Sequence, residues 1–274
     1  MTAQASKAVA FKTLHEQSNA FIIPNAWDAG SARILAHFGY LALATTSAGA
    51  AFTLGQPDGS MTREQSLENA RAIVAASDLP VSADLENCFG DAPDVCAETI
   101  RLAAGVGLVG GSVEDATGRP EDPIYSFDLA LERVKAAVTA ARSLPFPFIL
   151  TARAENYLHG RPDLADTIRR LQAFAEAGAD VLYAPGLKTA DDIKAVVKAV
   201  APKPVNVVMG LVGAAFTHEE LSGFGVKRIS VGGSLARVAY GALFHAAEEM
   251  RTAGSFSFAE HAVPHAKMNN MFKG

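Results

Sequence analysis

The sequence predicts an α/β protein, a (β/α)8 TIM barrel with an extra C-terminal helix, forming one domain over residues 1–274. Three observations predict it. Eight short apolar runs rich in β-branched residues alternate with eight stretches of helical period. The apolar runs are nearly continuous, as in parallel strands covered on both faces. No linker or change of composition divides the 274 residues, a length one barrel can use entirely. A doubly wound open sheet is the alternative reading of the same alternation.

Taken in order, the expected strands are residues 20–27, 40–48, 79–87, 108–116, 147–155, 179–185, 203–209 and 227–233. Amphipathic helices are expected at 28–39, 62–77, 92–105, 128–143, 163–178, 189–200, 217–225 and 236–250. Asp28, Thr62, Asp128, Asp163, Thr189 and Thr217 stand where N-caps are wanted, and Gly39, Gly105, Gly178 and Gly225 fall near helix ends. Beyond the eighth unit, SFSFAEHAVPHAKMNNMF carries aromatic and Met side chains that need a partner surface on a neighbouring helix or subunit.

Composition narrows the function. Hydrophobic residues make up 49% and charged residues 19%, which supplies a large core and argues against disorder. A net charge of -5 offers no basic surface for nucleic acid. Cys88 and Cys96 are the only cysteines, so neither a disulfide framework nor a zinc cluster is indicated. The N-terminus lacks the apolar run of a signal peptide, and a cytoplasmic location is expected. The uncharged stretch 38–57 approaches the length of a membrane span. Its Thr45, Thr46, Ser47, Thr53 and Gln56 instead suit a buried strand entering a polar loop, so no membrane partner is expected.

Barrel enzymes place their chemistry at the C-terminal ends of the strands. There the sequence puts Asp84 and Glu86, then Glu114 and Asp115, then Arg153 and Glu155. Alternation turns Asp84 and Glu86 to the same side. Converging acids repel one another unless a cation binds, and oxygen ligands completed by water suit Mg2+, with Mn2+ as a substitute. The other reading is that Glu86 and Asp115 cap helices or pair with Arg153, with no metal. Arg153 either grips a carboxylate or forms a simple salt bridge.

The segment Thr45-Thr46-Ser47-Ala48-Gly49 can bind a carboxylate or oxyanion, or be a tight turn. Asp58, between Pro57 and Gly59, fits a turn or a mobile gate. SVGGSLAR has the glycine pair of a phosphate site, although a closely packed turn is the favoured reading. The histidines show no ligand spacing and are expected on helix surfaces; Cys88 reads as an ordinary loop cysteine. Strand 179–185 ends without lysine, which argues against a Schiff-base aldolase.

The segments PNAWDAGSARILAHFGYLALATTSAGAAFTLGQPDG, PVSADLENCFG, GGSVEDATG and ILTARAE together resemble the isocitrate lyase/phosphoenolpyruvate mutase superfamily. The resemblance runs from Phe21 to about Gly241. It implies a Mg2+-dependent barrel acting on 2-oxo or 2-hydroxy carboxylates through a pyruvate-like enolate. By that resemblance Asp84 is the direct metal ligand, and Glu86 and Glu114 hold the ion largely through water. Thr46 and Ser47 receive the substrate carboxylate and oxo group, Arg153 contacts the substrate, and Asp58 is the acid of the gating loop. Asn206 is placed with the substrate-binding residues.

Departures from the family pattern shape the expectation. The loop ATGRPEDPIYSF lacks the cysteine of the isocitrate and methylisocitrate lyases, and Leu43 stands where they carry tyrosine. The lysine and asparagine pattern of phosphonopyruvate-processing members is also absent. The expected activity is therefore a Mg2+-dependent lyase or decarboxylase of a small 2-oxo or 2-hydroxy dicarboxylate. The alternatives are a phosphonopyruvate-type mutase or hydrolase, and a non-catalytic binder of 2-oxo acids. Asp58, Glu155 and Tyr125 are the candidate acid–base groups. The resemblance further implies a homo-oligomer, dimer or tetramer, with the 255–274 tail a candidate for exchange between subunits.

Overall fold

The computed structural model describes residues 2–210, 213 and 215–273. Its strands are β1 (Phe21–Ile23), β2 (Asn25–Ala26), β3 (Leu43–Thr45), β4 (Val81–Asp84), β5 (Gly110–Glu114), β6 (Ile149–Arg153), β7 (Val181–Tyr183), β8 (Val205–Val208) and β9 (Arg228–Ser230). All pair in parallel, in the order β1-β9-β8-β7-β6-β5-β4-β3-β2. β1 and β2 are the first expected strand, interrupted at Pro24, which has no N–H to donate. β1 pairs with β9 and β2 with β3, so the sheet closes on itself as the expected eight-unit barrel.

The helix starts follow their caps. Asp28, Thr62, Asp163, Thr189 and Thr217 each accept a backbone N–H at a helix N-terminus. Asp128 does not: Ser126 caps α6 (Phe127–Arg142), and Asp128 sits in its first turn, where a carboxylate still favours the helix dipole.

The N-terminal helix α1 (Ala3–Glu16) was not among the expected elements. Its Ala8, Phe11 and Leu14 pack on Phe21, Ile23, Val109, Ile149 and Val181 and cover the N-terminal end of the barrel. Gly110 permits this approach, because a Cβ there would lie 2.9 Å from both Phe11 Cε1 and the Ile149 carbonyl. The expectation of helix-surface histidines fails at His15, which α1 buries to 6% exposure.

Two apolar shells lie between strands and helices, one around Leu43, Leu85, Ile100 and Phe148, the other around Leu171, Phe174, Leu182 and Ile193. The barrel interior is polar instead, with Ser82, Ser112, Thr151, Asn206, Arg228 and Ser230 all buried.

The eighth helix departs from the expected packing. α10 (Ser234–Thr252) buries only Ala236, leaving Val238, Leu243 and Phe244 at 71%, 61% and 65% exposure. The tail then returns: α11 (His265–Phe272) packs on α2 (Ala29–His37), where Arg33 Nη1 donates to the Phe272 carbonyl at 2.9 Å. Among the described residues no helix is long and apolar enough to cross a membrane.

Candidate active site

The strand ends gather the expected acids around one guanidinium. Arg153, the last residue of β6, donates from Nη1 to Asp84 Oδ1 at 2.8 Å and from Nε to Glu155 Oε1 at 2.7 Å. Its Nη2 lies 3.1 Å from Glu114 Oε2. Asp84 and Glu114 end β4 and β5, so three successive strands each deliver one charged side chain to the same point. The side chain of Arg153 is only 13% exposed, and its guanidinium lies 5.3 Å from the Tyr183 ring centroid. Burial opposes the charged guanidinium, but Glu155, Glu114 and Asp84 hold it protonated well above the usual arginine range.

The expected oxyanion segment is neither an open loop nor a simple turn. Thr46 caps α3 (Ser47–Thr53), its Oγ1 accepting the Gly49 N–H at 3.4 Å. Thr46 is thus buried in a cap, while Ser47 faces the mouth with its N–H donating to Asp84 Oδ2 at 3.3 Å. The Asp84 N–H donates to Thr45 Oγ1 at 2.9 Å, which ties β4 to β3 at this level. Ser47, Asp58, Glu86, Glu114, Arg153 and Glu155 line one cavity of about 1100 Å3 at the barrel mouth. Asp58 therefore lies on the same cavity as the strand-end acids. Burial raises its carboxyl above the ordinary range; the Ser47 hydrogen bond opposes the shift and Asp84 adds to it.

Glu86 reaches the mouth through a strained loop. Glu86, Cys88 and Phe89 have φ values of 48°, 60° and 63°, a region in which non-glycine residues each cost about 1–2 kcal/mol. Arg133 holds the loop, donating to the carbonyls of Asn87, Gly90 and Asp91 while stacked 4.2 Å from the Tyr125 ring centroid. Cys88 is a residue of this loop, as expected, and is fully buried. Burial, then Asp84 and Asp58, push the Glu86 carboxyl up to about 7. Burial also pushes Glu114 well above the carboxylate range, with Glu155, Asp84 and Glu86 adding repulsion that Arg153 offsets in part.

Two expected residues lie outside the mouth cavity. Asn206 is inside the barrel, where with Asp84 and Arg153 it lines a smaller cavity of about 50 Å3, its Oδ1 accepting from Arg228 Nε at 2.8 Å and its Nδ2 donating to Ser230 Oγ at 3.0 Å. Tyr125, a candidate acid, is buried beneath the strand-five loop and donates to Asp91 Oδ1 at 2.5 Å. The glycine pair after β9 follows the turn reading: Asn25 Oδ1 accepts the Val231 and Gly232 N–H groups, both at 2.9 Å, leaving those amides unavailable to a phosphate.

Sequence reading missed Asn25, Arg133, Tyr183 and Arg228. Arg228 and Tyr183 sit inside runs that read simply as strand. A charged residue within a strand is an available signal, because it must find partners in the barrel interior.

The donor set suits a hard divalent cation. Asp84, Glu86 and Glu114 offer only carboxylate oxygens, and burial, with mutual repulsion added to it, raises the carboxyls of Glu86 and Glu114. Among the described residues no three His, Cys, Asp or Glu side chains are gathered tightly enough to enclose an ion by themselves. Mg2+ does not require that, since it usually keeps several waters and uses one or two carboxylates.

The chain matches the family described as phosphoenolpyruvate phosphomutase over residues 11–251. A Burkholderia cenocepacia J2315 protein assigned as a lyase/mutase superposes with a TM-score of 0.97 at 61% identity, covering 99% of this chain and 97% of that one. The 2-methylisocitrate lyase of Escherichia coli is 31% identical over 65% of this chain and 62% of its own length. The oxaloacetate decarboxylase of Bradyrhizobium diazoefficiens is 31% identical over 63% of this chain and 61% of its own length. The barrel, the acids at its strand ends and these likenesses agree: the chain belongs to the phosphoenolpyruvate phosphomutase family, within the isocitrate lyase/phosphoenolpyruvate mutase superfamily.

Proposed function

We propose that the protein is a Mg2+-dependent lyase or decarboxylase that cleaves a carbon–carbon bond in a small 2-oxo or 2-hydroxy dicarboxylate. The observation that carries this reading is Arg153 held among Asp84, Glu114 and Glu155, beside Ser47 and Asp58, in one mouth cavity. Asp84, Glu86 and Glu114 would hold the metal, which when bound supplies Lewis-acid stabilisation of negative charge on an enolate oxygen.

The chain's own groups account for the remaining tasks. Glu155 fixes Arg153 through Nε while Nη1 and Nη2 engage Asp84 and Glu114, so a substrate carboxylate would be met by the second N–H of each terminal nitrogen. The Ser47 N–H, at the start of α3, is a further donor toward developing negative charge. Asp58, whose carboxyl burial raises above the ordinary range, is the group placed to deliver a proton from its carboxyl oxygen to the carbon left electron-rich by bond cleavage. A phosphono substrate is disfavoured because Asn25 occupies the amides after β9.

The test is product analysis with oxaloacetate and a series of alkylmalates in the presence of Mg2+. Formation of pyruvate or glyoxylate, lost in Asp84→Asn, is expected. Tight binding of Mg2+ and oxalate without turnover of any of these acids would replace the lyase reading with that of a 2-oxo acid binder.

A further inference from the structure

Behind the mouth, a buried ion pair takes hold of the segment that carries Arg153. The last rung between β5 and β6 sets Glu114 opposite Arg153, and just past it the Asp115 N–H donates to the Arg153 carbonyl at 3.2 Å. A parallel ladder continued from there would bring the Glu155 N–H to the Asp115 carbonyl. That carbonyl instead accepts the Tyr125 N–H at 2.9 Å, and the Asp115 side chain supplies the missing rung, Oδ1 accepting the Glu155 N–H at 2.8 Å. Asp115 thus brackets Arg153 and Glu155 from both ends.

The carboxylate that does this is 2% exposed and is neutralised from outside the barrel. Arg170 of α7 (Leu164–Glu176), itself 7% exposed, places Nη1 at 3.1 Å from Asp115 Oδ2. The same nitrogen donates to the Tyr125 carbonyl at 3.0 Å, and Nε donates to Asp166 Oδ2 at 2.8 Å. Ser47, Glu114, Arg153 and Glu155 line the mouth cavity, whereas Asp115 and Arg170 do not. Their effect on the mouth runs through Glu155, whose Oε1 accepts Arg153 Nε–H and so sets the plane of the guanidinium.

We propose that Asp115 and Arg170 are positioning residues for substrate binding, which fix Glu155 and through it the Arg153 guanidinium without touching the substrate. The inference rests on the reading of Arg153 as the group that grips a substrate carboxylate. A planar fork tolerates little rotation, and misplacing a positioned group by about 1 Å can cost on the order of 10²-fold.

Calorimetric titration of the full-length protein with oxalate at saturating Mg2+ tests this without turnover. A loss of stability alone lowers the number of sites and leaves Kd unchanged, whereas a displaced guanidinium raises Kd. Asp115→Ala is expected to raise the oxalate Kd roughly 10–100-fold, the range typical of residues that orient a ligating group from behind. Asp115→Asn, which keeps an acceptor for the Glu155 N–H, is expected to recover part of that loss. An unchanged Kd in Asp115→Ala would overturn the positioning role and leave the lyase reading standing. A raised Kd, in a protein whose unsubstituted form turns over none of the acids, would support the positioning role and overturn the lyase reading alone. Unsubstituted protein that binds no oxalate would overturn both. Should Asp115→Ala fail to fold, Arg170→Met, which unpairs the carboxylate and leaves the strand ends intact, decides by the same criterion.

Discussion

Arg153 Nη1 lies 2.8 Å from Asp84 Oδ1, and this pair spans β5 to join the ends of β4 and β6. Glu114, which ends the intervening strand, receives the other terminal nitrogen at 3.1 Å. The guanidinium thus holds together two acids that mutual repulsion would otherwise drive apart. Substrate binding and the electrostatic integrity of the mouth therefore depend on the same side chain.

Replacing Arg153 is accordingly expected to damage both. Arg153→Met leaves buried carboxylates without their partner, a change that typically costs about 3–5 kcal/mol. Arg153→Lys keeps the charge but loses the planar fork that serves three carboxylates at once. In the lysine variant activity should fall by roughly 10²–10³, the range seen when a preorganised donor is removed. Urea denaturation read beside steady-state kinetics separates the two effects: kcat/KM drops in both variants, with the larger stability loss in methionine.

The raised Glu86 carboxyl gives the metal-free protein a definite pH response. Its folded value of about 7 exceeds the ordinary 4.5, so the folded state holds the proton more tightly than the unfolded chain between those limits. That stabilisation is present below 4.5 and is lost as pH rises through about 7. Without divalent cation, the Tm of the unsubstituted protein minus that of Glu86→Gln should therefore fall over this window, a difference from which the opposing effect of His15 cancels. Mg2+ should restore Tm at the alkaline end and release protons on binding, measurable by calorimetry in two buffers of different ionisation enthalpy. A difference profile without slope between pH 4.5 and 7 would refute the assignment of Glu86 to the cation cluster.

The sequence exposed the barrel because parallel strands covered on both faces leave long apolar runs, and because five of six proposed caps are used as caps. The mouth was legible for a related reason: charged groups at successive strand ends of a barrel converge on its axis, as Asp84, Glu114 and Arg153 do. Asn206 was harder, since a strand residue's level along the barrel axis depends on shear that local alternation does not encode. The same limit concealed Arg228 and Tyr183. α1 was legible in principle, as Ala8, Phe11 and Leu14 recur at helical spacing. The reading of the N-terminus asked only whether a targeting segment was present. The packing of α10 was not legible, because an amphipathic stripe specifies an apolar partner without saying which chain supplies it.

His15 should govern the acid limb of stability. Its folded value near 3 lies below the unfolded 6.5, so the unfolded chain takes up the proton first as pH falls. Stability is complete above 6.5 and is lost at about 1.4 kcal/mol per pH unit below it, until the folded value is reached. Glu86 acts in the opposite sense over part of this range, so the test is a difference measurement. Subtracting the pH profile of His15→Gln from that of the unsubstituted protein should leave a component rising between pH 5 and 6.5 and level above it. A difference profile without slope below 6.5 would show that His15 is not held neutral against Arg228.

The proposed occupant of the bare α10 face is a second copy of the chain. Val238, Leu243 and Phe244 stand at 71%, 61% and 65% exposure on a helix that buries only Ala236 against its own barrel. Burying a Leu or Phe side chain contributes about 1.5–3 kcal/mol each, so solvent is an unfavourable neighbour for such a row. Met250, Phe256 and Val263 continue the apolar surface into the tail, whereas α11 is already seated on α2 of the same chain. The joint is therefore expected at α10 rather than α11. Light scattering should find a dimer or tetramer that Leu243→Glu with Phe244→Glu dissociates. Truncation after Gly254 should leave most of the association intact. A monomeric unsubstituted protein, or an oligomer indifferent to the two glutamates, would reject this assignment.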